Sequence, residues 1–467
     1  MAAHLTLAAA APTAPNFLVI MADDASFHEL PLYGGKNIRT PHIDRLASEG
    51  LVMRHAYVAM SMCVPCRAEL YTGLYPMRNG VRWNHVGATP GTRSVTHHLG
   101  ERGYRVGLAG KVHATPKSVF NFEMVDGFER NCVADTAGSD CAGIKEFMTR
   151  EPRQPFYLVV ALVSPHAPWT VGDRSRFDPA KIKLPPYVVD TPETRADMVA
   201  YYAEYEDMDR QVGDIVRTLA ETGRAPDTVV LYTSEQGGQW PGAKWTNWEA
   251  GIHTGMVVRW PGRVAAGTVT DALVQYADVL PTFLEAAGGE PRAAGFDGRS
   301  FLPVLLGRAT KHRDYAYAMH NNLPEGPPYP IRAVLDGRYH FIRNLKPDTL
   351  YIEKHVMGRI EHGKYWPTWV WKTETDPQAL AMVSRYLHRP AEELYDTSTD
   401  PFELSNLAAD PRHAETKRRL AAELDRWMQS QGDPGAEVDT VPYRERHMAA
   451  VRASLPPAPG KKKQPGR

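Results

Sequence analysis

Five short, almost uninterrupted apolar runs decide what this chain can fold into. They are Asn16–Met21 (NFLVIM), Arg105–Ala109 (RVGLA), Phe156–Val163 (FYLVVALV), Thr228–Thr233 (TVVLYT) and Gly255–Trp260 (GMVVRW). Such runs leave no polar face for water, so each reads as a parallel strand covered on both sides. Helical patterns lie between them. Thr40–Ser48 (TPHIDRLAS) offers a Thr cap with Pro at the first helical position, residues 93–102 (RSVTHHLGER) form a second helix, and residues 192–222 a long amphipathic third. Strand alternating with helix predicts an α/β fold with a mixed, mostly parallel sheet between helices.

The pattern changes after about residue 330. Ile331–Leu335, an Asp336-Gly337 turn and Arg338–Arg343 read as a hairpin. A Trp-rich stretch, Lys364–Lys372, and a helix over Ala414–Gln431 follow. The expected organisation is a large domain over residues 15–330 and a smaller C-terminal α+β domain with an antiparallel sheet over 331–450. Residues 1–14 read as a flexible arm or a signal-peptide remnant, because residues 5–11 (LTLAAAA) are apolar and small but no Lys or Arg precedes them. A signal remnant implies a periplasmic or secreted protein, and a mere arm a cytoplasmic one. The Pro-, Gly- and Lys-rich tail, 451–467, reads as disordered.

Charge narrows the partners. The 467 residues carry 54 Lys+Arg against 54 Asp+Glu, which argues against a protein that coats nucleic acid or an anionic membrane. No run reaches the ~18 apolar residues of a membrane span. Four cysteines in a chain this long cannot be a disulfide framework, so each needs its own account.

In an open parallel sheet, ligands bind beyond the carboxyl ends of the strands. The first run ends in Asp23-Asp24, the second in Lys111 and His113, the third in His166 and the fourth in Glu235-Gln236, with Lys244 soon after. Paired carboxylates and an amide form an all-oxygen set suited to Ca²⁺ or Mg²⁺, whereas Zn²⁺ prefers His or Cys. Helix capping by Asp23 or Asp24 is the plainer alternative.

The sharpest segment is Cys63-Val64-Pro65-Cys66-Arg67-Ala68 running on to Thr72-Gly73. Arg67 is spaced to hold an anion near Cys63, and a helix starting there would add its positive end. Cys63 and Cys66 also form a CxxC pair, which elsewhere marks a redox couple or half a zinc site, but no second CxxC exists. Cys132 and Cys141 are either a disulfide across a short loop or two unpaired thiols.

The Cys63-x-Pro65-x-Arg67 segment, with Ala68 and Thr72-Gly73, resembles the signature of the type I sulfatases. PNFLVIMADD, TPHIDRLASEGLVMRHAYV, GKVH, SPHAP, TSEQG, WEAGIHTGMVVRWPG and ELYDTSTDPFELSNLAADP resemble further blocks of that family, in order over residues 15–430. The resemblance implies an alkaline-phosphatase/sulfatase-like fold and a hydrolase that removes sulfate from a carbohydrate. It implies that a formylglycine-generating enzyme oxidises Cys63 to formylglycine, whose hydrate supplies the nucleophilic oxygen. Asp23, Asp24, Glu235 and Gln236, with an oxygen of modified Cys63, would bind one Ca²⁺. Arg67, Lys111 and Lys244 would hold the sulfuryl oxygens, His166 would serve the leaving group, and His113 would act as a base while sulfate is expelled.

The chain departs from the family pattern in three places. Glu235-Gln236 replaces the usual Asp with Asn or His, Cys66 replaces Ser, and His253 stands where many members carry Arg. PPYVVDTPETRADMVAYYAEYEDMDRQVG and RAVLDGRYHFIRNL resemble the N-sulfoglucosamine sulfohydrolases, which points to sulfated amino sugars within glycosaminoglycan breakdown, whereas the Lys244…WEAGIHTGMVVRWPG block resembles the general sulfatase form and leaves other sulfated glycans open. Tyr365, Trp366, Trp369 and Trp371 are candidates either for stacking on sugar rings or for plain packing between domains. The main rival is a phosphomonoester or phosphodiester hydrolase of the same superfamily; a binding protein on a degenerate scaffold is the other. A homo-oligomer is compatible with this reading.

Overall fold

The computed structural model describes residues 14–135, 137–358 and 364–453. The arm and tail expected at the two ends fall outside the described residues over 1–13 and 454–467. Eight strands build the main sheet: β1 (Asn16–Ala22), β2 (Leu51–Tyr57), β3 (Arg105–Gly110), β4 (Glu123–Val125), β5 (Phe156–Ala161), β6 (Thr228–Ser234), β7 (Met256–Arg259) and β8 (Thr268–Gln275). Their order is β4-β3-β5-β1-β6-β7-β2-β8. Strands β1, β5 and β6 are buried along their whole length, as runs without a polar face require.

One expectation is corrected. Strand β7 runs antiparallel to both β6 and β2, whereas every other pairing in this sheet is parallel. Burial on both faces makes an apolar run, and that run carries no sign of direction. The carboxyl ends of β1, β3, β5 and β6 therefore still share one edge, and β2, parallel to β8 across the far side of β7, ends there too.

The helices pack on this sheet. Helix α1 covers Pro41–Ser48, α2 Cys63–Thr72 and α3 Pro192–Glu221. Thr40 sits at the N-cap of α1 but makes no capping bond; Asp209 of α3 instead accepts the amides of His42 (3.1 Å) and Ile43 (2.8 Å). The helix expected over residues 93–102 is only a turn at Val95–His98 and a tighter one at Gly100–Arg102, with Gly103 in a left-handed conformation ending it.

The second sheet is antiparallel in the order β12-β11-β10-β9, from β9 (Ala316–His320), β10 (Ile331–Leu335), β11 (Tyr339–Asn344) and β12 (Glu392–Asp396). Helices α4 (Tyr365–Lys372) and α5 (Ala414–Ser430) belong to the same part of the chain. Helix α5 buries Leu420, Leu424 and Trp427, and the Trp427 ring stacks on Tyr317 of β9 at 5.0 Å.

Asp278, just after β8, pairs with Arg313, just before β9, and both are buried. Its carboxylate also accepts the amides of Gln275 (2.9 Å) and Arg299 (2.7 Å). Burial alone would raise the Asp278 carboxyl, but Arg313 and His312 hold it well below the ordinary carboxylate range. The stabilisation is thus complete at neutral pH and is lost as pH falls into strong acid. Asp278→Ala strands the Arg313 cation, so denaturant titration should show a loss of about 3–5 kcal/mol.

Candidate active site

The shared strand edge gathers the expected residues around the start of a buried helix. Cys63 is the first residue of α2, and all ten residues of that helix are buried, so its unsatisfied amide end points into the interior. Pro65 costs nothing there, because a first-turn amide has no intrahelical acceptor. The loop leading to Cys63 is pinned: Ala59 N–H donates to Glu69 at 2.7 Å, and Ser61 Oγ donates to the Gly251 carbonyl at 3.0 Å.

Around the Cys63 sulfur lie Lys244 Nζ at 3.2 Å, Asp23 Oδ1 at 3.9 Å, Gln236 Nε2 at 3.9 Å and Asp24 Oδ1 at 4.0 Å. Lys111 Nζ donates to Asp23 at 2.5 Å and Lys244 Nζ to Asp24 at 2.7 Å. Arg67 pairs with Glu235 and donates from Nη1 to the Lys111 carbonyl at 2.7 Å. His166 Nε2 stands 3.6 Å from Asp24 Oδ2, while its Nδ1 faces the Ala167 carbonyl at 2.5 Å. Gly110 aims Lys111: its φ is +85°, and a Cβ there would lie 2.1 Å from the Ala161 carbonyl oxygen.

These neighbours set the charge states. Burial would raise Asp23, but Lys111 holds it down to about 2. Burial together with Lys111 and Arg67 pushes His113 down to about 2, so its imidazole is neutral. Burial opposes the charge on His166, yet Asp24 lifts its pKa above the usual histidine value. Burial and Glu235 push the Cys63 thiol up to about 12. An unmodified Cys63 is therefore protonated at neutral pH and a poor nucleophile.

The donor set suits a hard divalent cation. Ligand atoms of Asp23, Asp24, Cys63 and Glu235 all lie within 4.8 Å of one another. Gln236 Oε1 is buried without a hydrogen-bond donor, and its Nε2 is spent on Asp24 at 2.5 Å. Carboxylate and amide oxygens around a position for one more oxygen match Ca²⁺ chemistry. Three carboxylates here face three fixed cations, so a divalent ion would leave a positive site for an oxyanion.

A cavity of about 280 Å³ opens onto Cys63, His113, His166 and Lys244. It is also lined by residues that strand-end reasoning does not reach, among them Cys132, His85, Trp245 and Glu325. Four of the five non-glycine residues with left-handed backbone among those described are Asp24, His85, His113 and Trp245, all at this site. Such conformations cost about 1–3 kcal/mol each and persist only where surrounding structure imposes them. That signal exists in the backbone and not in the sequence.

Two candidate features resolve differently here. Cys132 and Cys141 are free thiols: Cys132 lies at the cavity near His166 and Asp23, and the loop between them is closed by backbone bonds such as Glu129 N–H to Gly138 O at 3.2 Å. Cys66 is also free and donates to the Glu235 carbonyl at 3.1 Å, so the CxxC pair is no couple. Tyr365, Trp366 and Trp369 are buried packing residues, Trp371 is 73% exposed, and none of the four lines the cavity. His253 is buried below the site, with Nδ1 2.6 Å from Glu249 and its ring stacked on Phe27.

The sulfatase family profile matches residues 15–289, more than half of the chain. The chain belongs to the sulfatase family. Accordingly it is a sulfuric ester hydrolase. The profile of the N-sulphoglucosamine sulphohydrolase C-terminal region matches residues 242–351 of this sulfatase. An ulvan-active sulfatase of Formosa agariphila is 30% identical, over 90% of this chain and 81% of its own length. The human N-sulphoglucosamine sulphohydrolase is 29% identical over 90% and 91%. Among solved structures, a protein in complex with its substrate D-glucosamine-2-N,6-O-disulfate superposes with a TM-score of 0.66 at 18% identity, covering 90% of this chain and 99% of its own. A phosphonate monoester hydrolase from Silicibacter pomeroyi superposes with a TM-score of 0.67 at 19% identity over 90% and 96%. These last two likenesses concern the fold.

Proposed function

We propose that this sulfatase removes sulfate from a sulfated carbohydrate, with N-sulfoglucosamine the first candidate, through formylglycine at Cys63 and one Ca²⁺ ion. The observation that carries the reading is the convergence on the Cys63 sulfur of Asp23, Asp24, Gln236 and Lys244, from separate strand ends, at the start of a buried helix. The relatives that act on ulvan and N-sulphoglucosamine support a sugar substrate. The cavity of about 280 Å³ has the size of a pocket for a single sugar end.

In this reading the Cys63 sulfur stands where an oxygen of the formylglycine hydrate would lie. Asp23, Asp24, Glu235 and Gln236 hold the cation, which when bound lowers the pKa of that oxygen and neutralises charge on the sulfuryl group. Lys244 and the free Nη2 of Arg67 donate to the sulfuryl oxygens, and Lys111 adds its charge behind them. His166, whose pKa Asp24 lifts above the usual histidine value, gives a proton to the leaving group. Neutral His113, whose Nδ1 has no hydrogen-bond partner, is the base that takes a proton as sulfate departs. Maturation requires a formylglycine-generating enzyme as partner. Export from the cytoplasm stays part of the proposal and rests on residues 5–11. Among the described residues no helix is long and apolar enough to cross a membrane.

Desulfation assays on N-sulfoglucosamine, O-sulfated monosaccharides, an aryl sulfate and an aryl phosphate test the reading. Sulfate release from a sugar is the expected result; a clear phosphate preference would sink it. Dialysis against a calcium chelator should lower kcat by about 100-fold or more, with recovery on adding Ca²⁺. Full activity after verified metal removal would remove the cation from the account.

A further inference from the structure

The cavity over Cys63 has a second polar wall, built by the C-terminal part of the chain. Glu325, on the turn between β9 and β10, lines it together with Lys354 and His355. Glu325 is 1% exposed, and its Oε2 accepts Lys354 Nζ at 2.7 Å and His355 Nε2 at 2.8 Å. Its Oε1 is buried with no hydrogen-bond donor, the nearest candidate being His85 Nε2 at 3.6 Å. His85 is itself engaged with Asn84 at 3.1 Å.

The turn that carries the carboxylate is fixed, and Lys354 and His355 hold its Oε2. Glu325 N–H donates to the Asn322 carbonyl at 2.8 Å, and the Glu325 carbonyl accepts Lys354 N–H at 3.0 Å. Asn322 Nδ2 in turn ties the turn to the Ile352 carbonyl at 2.8 Å. Burial would raise Glu325, but His355 and Lys354 hold it down to about 2, so it stays an anion. Neighbouring Glu353 does not make this a metal site, since its two oxygens cap the His355 (3.1 Å) and Val356 (2.9 Å) amides. A buried anionic oxygen with one open valence, on a side chain that lines a cavity, is left wanting a donor that a molecule filling that cavity can bring.

We infer that Glu325 Oε1 accepts a hydrogen bond from a ring hydroxyl of the sulfated sugar and so determines which sugar end the enzyme takes. The inference rests on the carbohydrate reading above. Charge decides between a hydroxyl and a second anionic group. Lys354 is already neutralised by Glu325, so this wall offers no spare positive charge, and a second sulfate or a carboxylate at Oε1 would meet a like charge. Trp245 lines the same cavity, its ring stacked on His355 at 5.2 Å with Lys244 Nζ 5.0 Å from its centroid, so it fixes the position of both.

The test compares kcat/KM on N-sulfoglucosamine and on nitrophenyl sulfate, which lacks ring hydroxyls, using the full-length matured enzyme. Glu325→Ala should lower the ratio of the two values by about 10- to 100-fold, mainly through KM on the sugar. Glu325→Gln keeps a neutral acceptor of the same shape, so it should show a smaller drop and covers the case in which the alanine variant misfolds. One singly deoxygenated N-sulfoglucosamine should lose the same factor on the wild type and nothing further on Glu325→Ala. An equal change on both substrates, with no analogue showing that compensation, overturns the inference. A wild type that hydrolyses nitrophenyl sulfate but none of the sugar sulfates overturns the carbohydrate reading, and this inference with it.

Discussion

Cys63→Ala is expected to lower kcat/KM for sulfate release by at least about 10⁴-fold, since under the proposed mechanism it removes the atom on which the nucleophile is built. Stability should barely respond. The side chain is small, and its sulfur, a weak acceptor, meets its neighbours at 3.2 to 4.0 Å. Thermal unfolding should therefore shift by no more than about 1 kcal/mol equivalent. The contrast is informative because Lys244 and Arg67, the proposed donors to the oxyanion, remain in place. Substrate affinity, measured by calorimetry, should survive the loss of turnover.

Arg67→Lys carries the second large effect. The guanidinium does three things that an ammonium cannot do together: it pairs with Glu235, donates to the Lys111 carbonyl at 2.7 Å, and leaves Nη2 without a protein partner. A lysine keeps the charge against Glu235 but loses the fork. Loss of one preformed oxyanion donor lowers kcat by about 10²–10³-fold. Steady-state kinetics should place the loss in kcat more than in KM, and a stable fold in the same preparation separates the effect from collapse of the buried pair. Arg67→Ala, by contrast, should also destabilise by about 3–5 kcal/mol, because it strands Glu235 in the interior.

How much of this was readable in the sequence depended on the range of the interaction. Strands β1, β5 and β6 were legible because two-sided burial leaves an apolar run, and the residues after them were legible because a parallel sheet exposes its carboxyl ends along one edge. Asp23, Lys111, His166 and Glu235 follow those strands, and the fold brings them together. The direction of β7 was not readable, since burial says nothing of polarity. The capping of α1 by Asp209 was hidden because donor and acceptor lie far apart in sequence. Strand β9 (AYAMH) is too short and too mixed to stand out, although it carries one border of the second sheet.

The cavity wall shows the limit most clearly. Cys132, His85, Trp245 and Glu325 come from four separate loops, and only the folded chain brings them to one cavity. The sequence leaves the Trp-rich helix α4 open to sugar contact or to packing, and its inner face is spent on packing; Tyr365 donates to the Gln239 carbonyl at 2.8 Å, and Trp369 donates to Thr194 at 2.7 Å. A run of aromatics signals buried area, and burial against protein satisfies it as well as burial against a ligand.

The central claim is that modified Cys63 drives hydrolysis of a sugar sulfate. Preparations of the wild type made with graded amounts of the formylglycine-generating enzyme would carry graded conversion of the Cys63 CH₂–SH to CHO, read by mass spectrometry of the peptide. Sulfate released from N-sulfoglucosamine or an O-sulfated monosaccharide is then measured for each preparation. The account predicts that sulfate release rises in proportion to the converted fraction and vanishes when conversion is zero. Sulfate release that is independent of conversion, or absent from every sugar sulfate at full conversion, would contradict it.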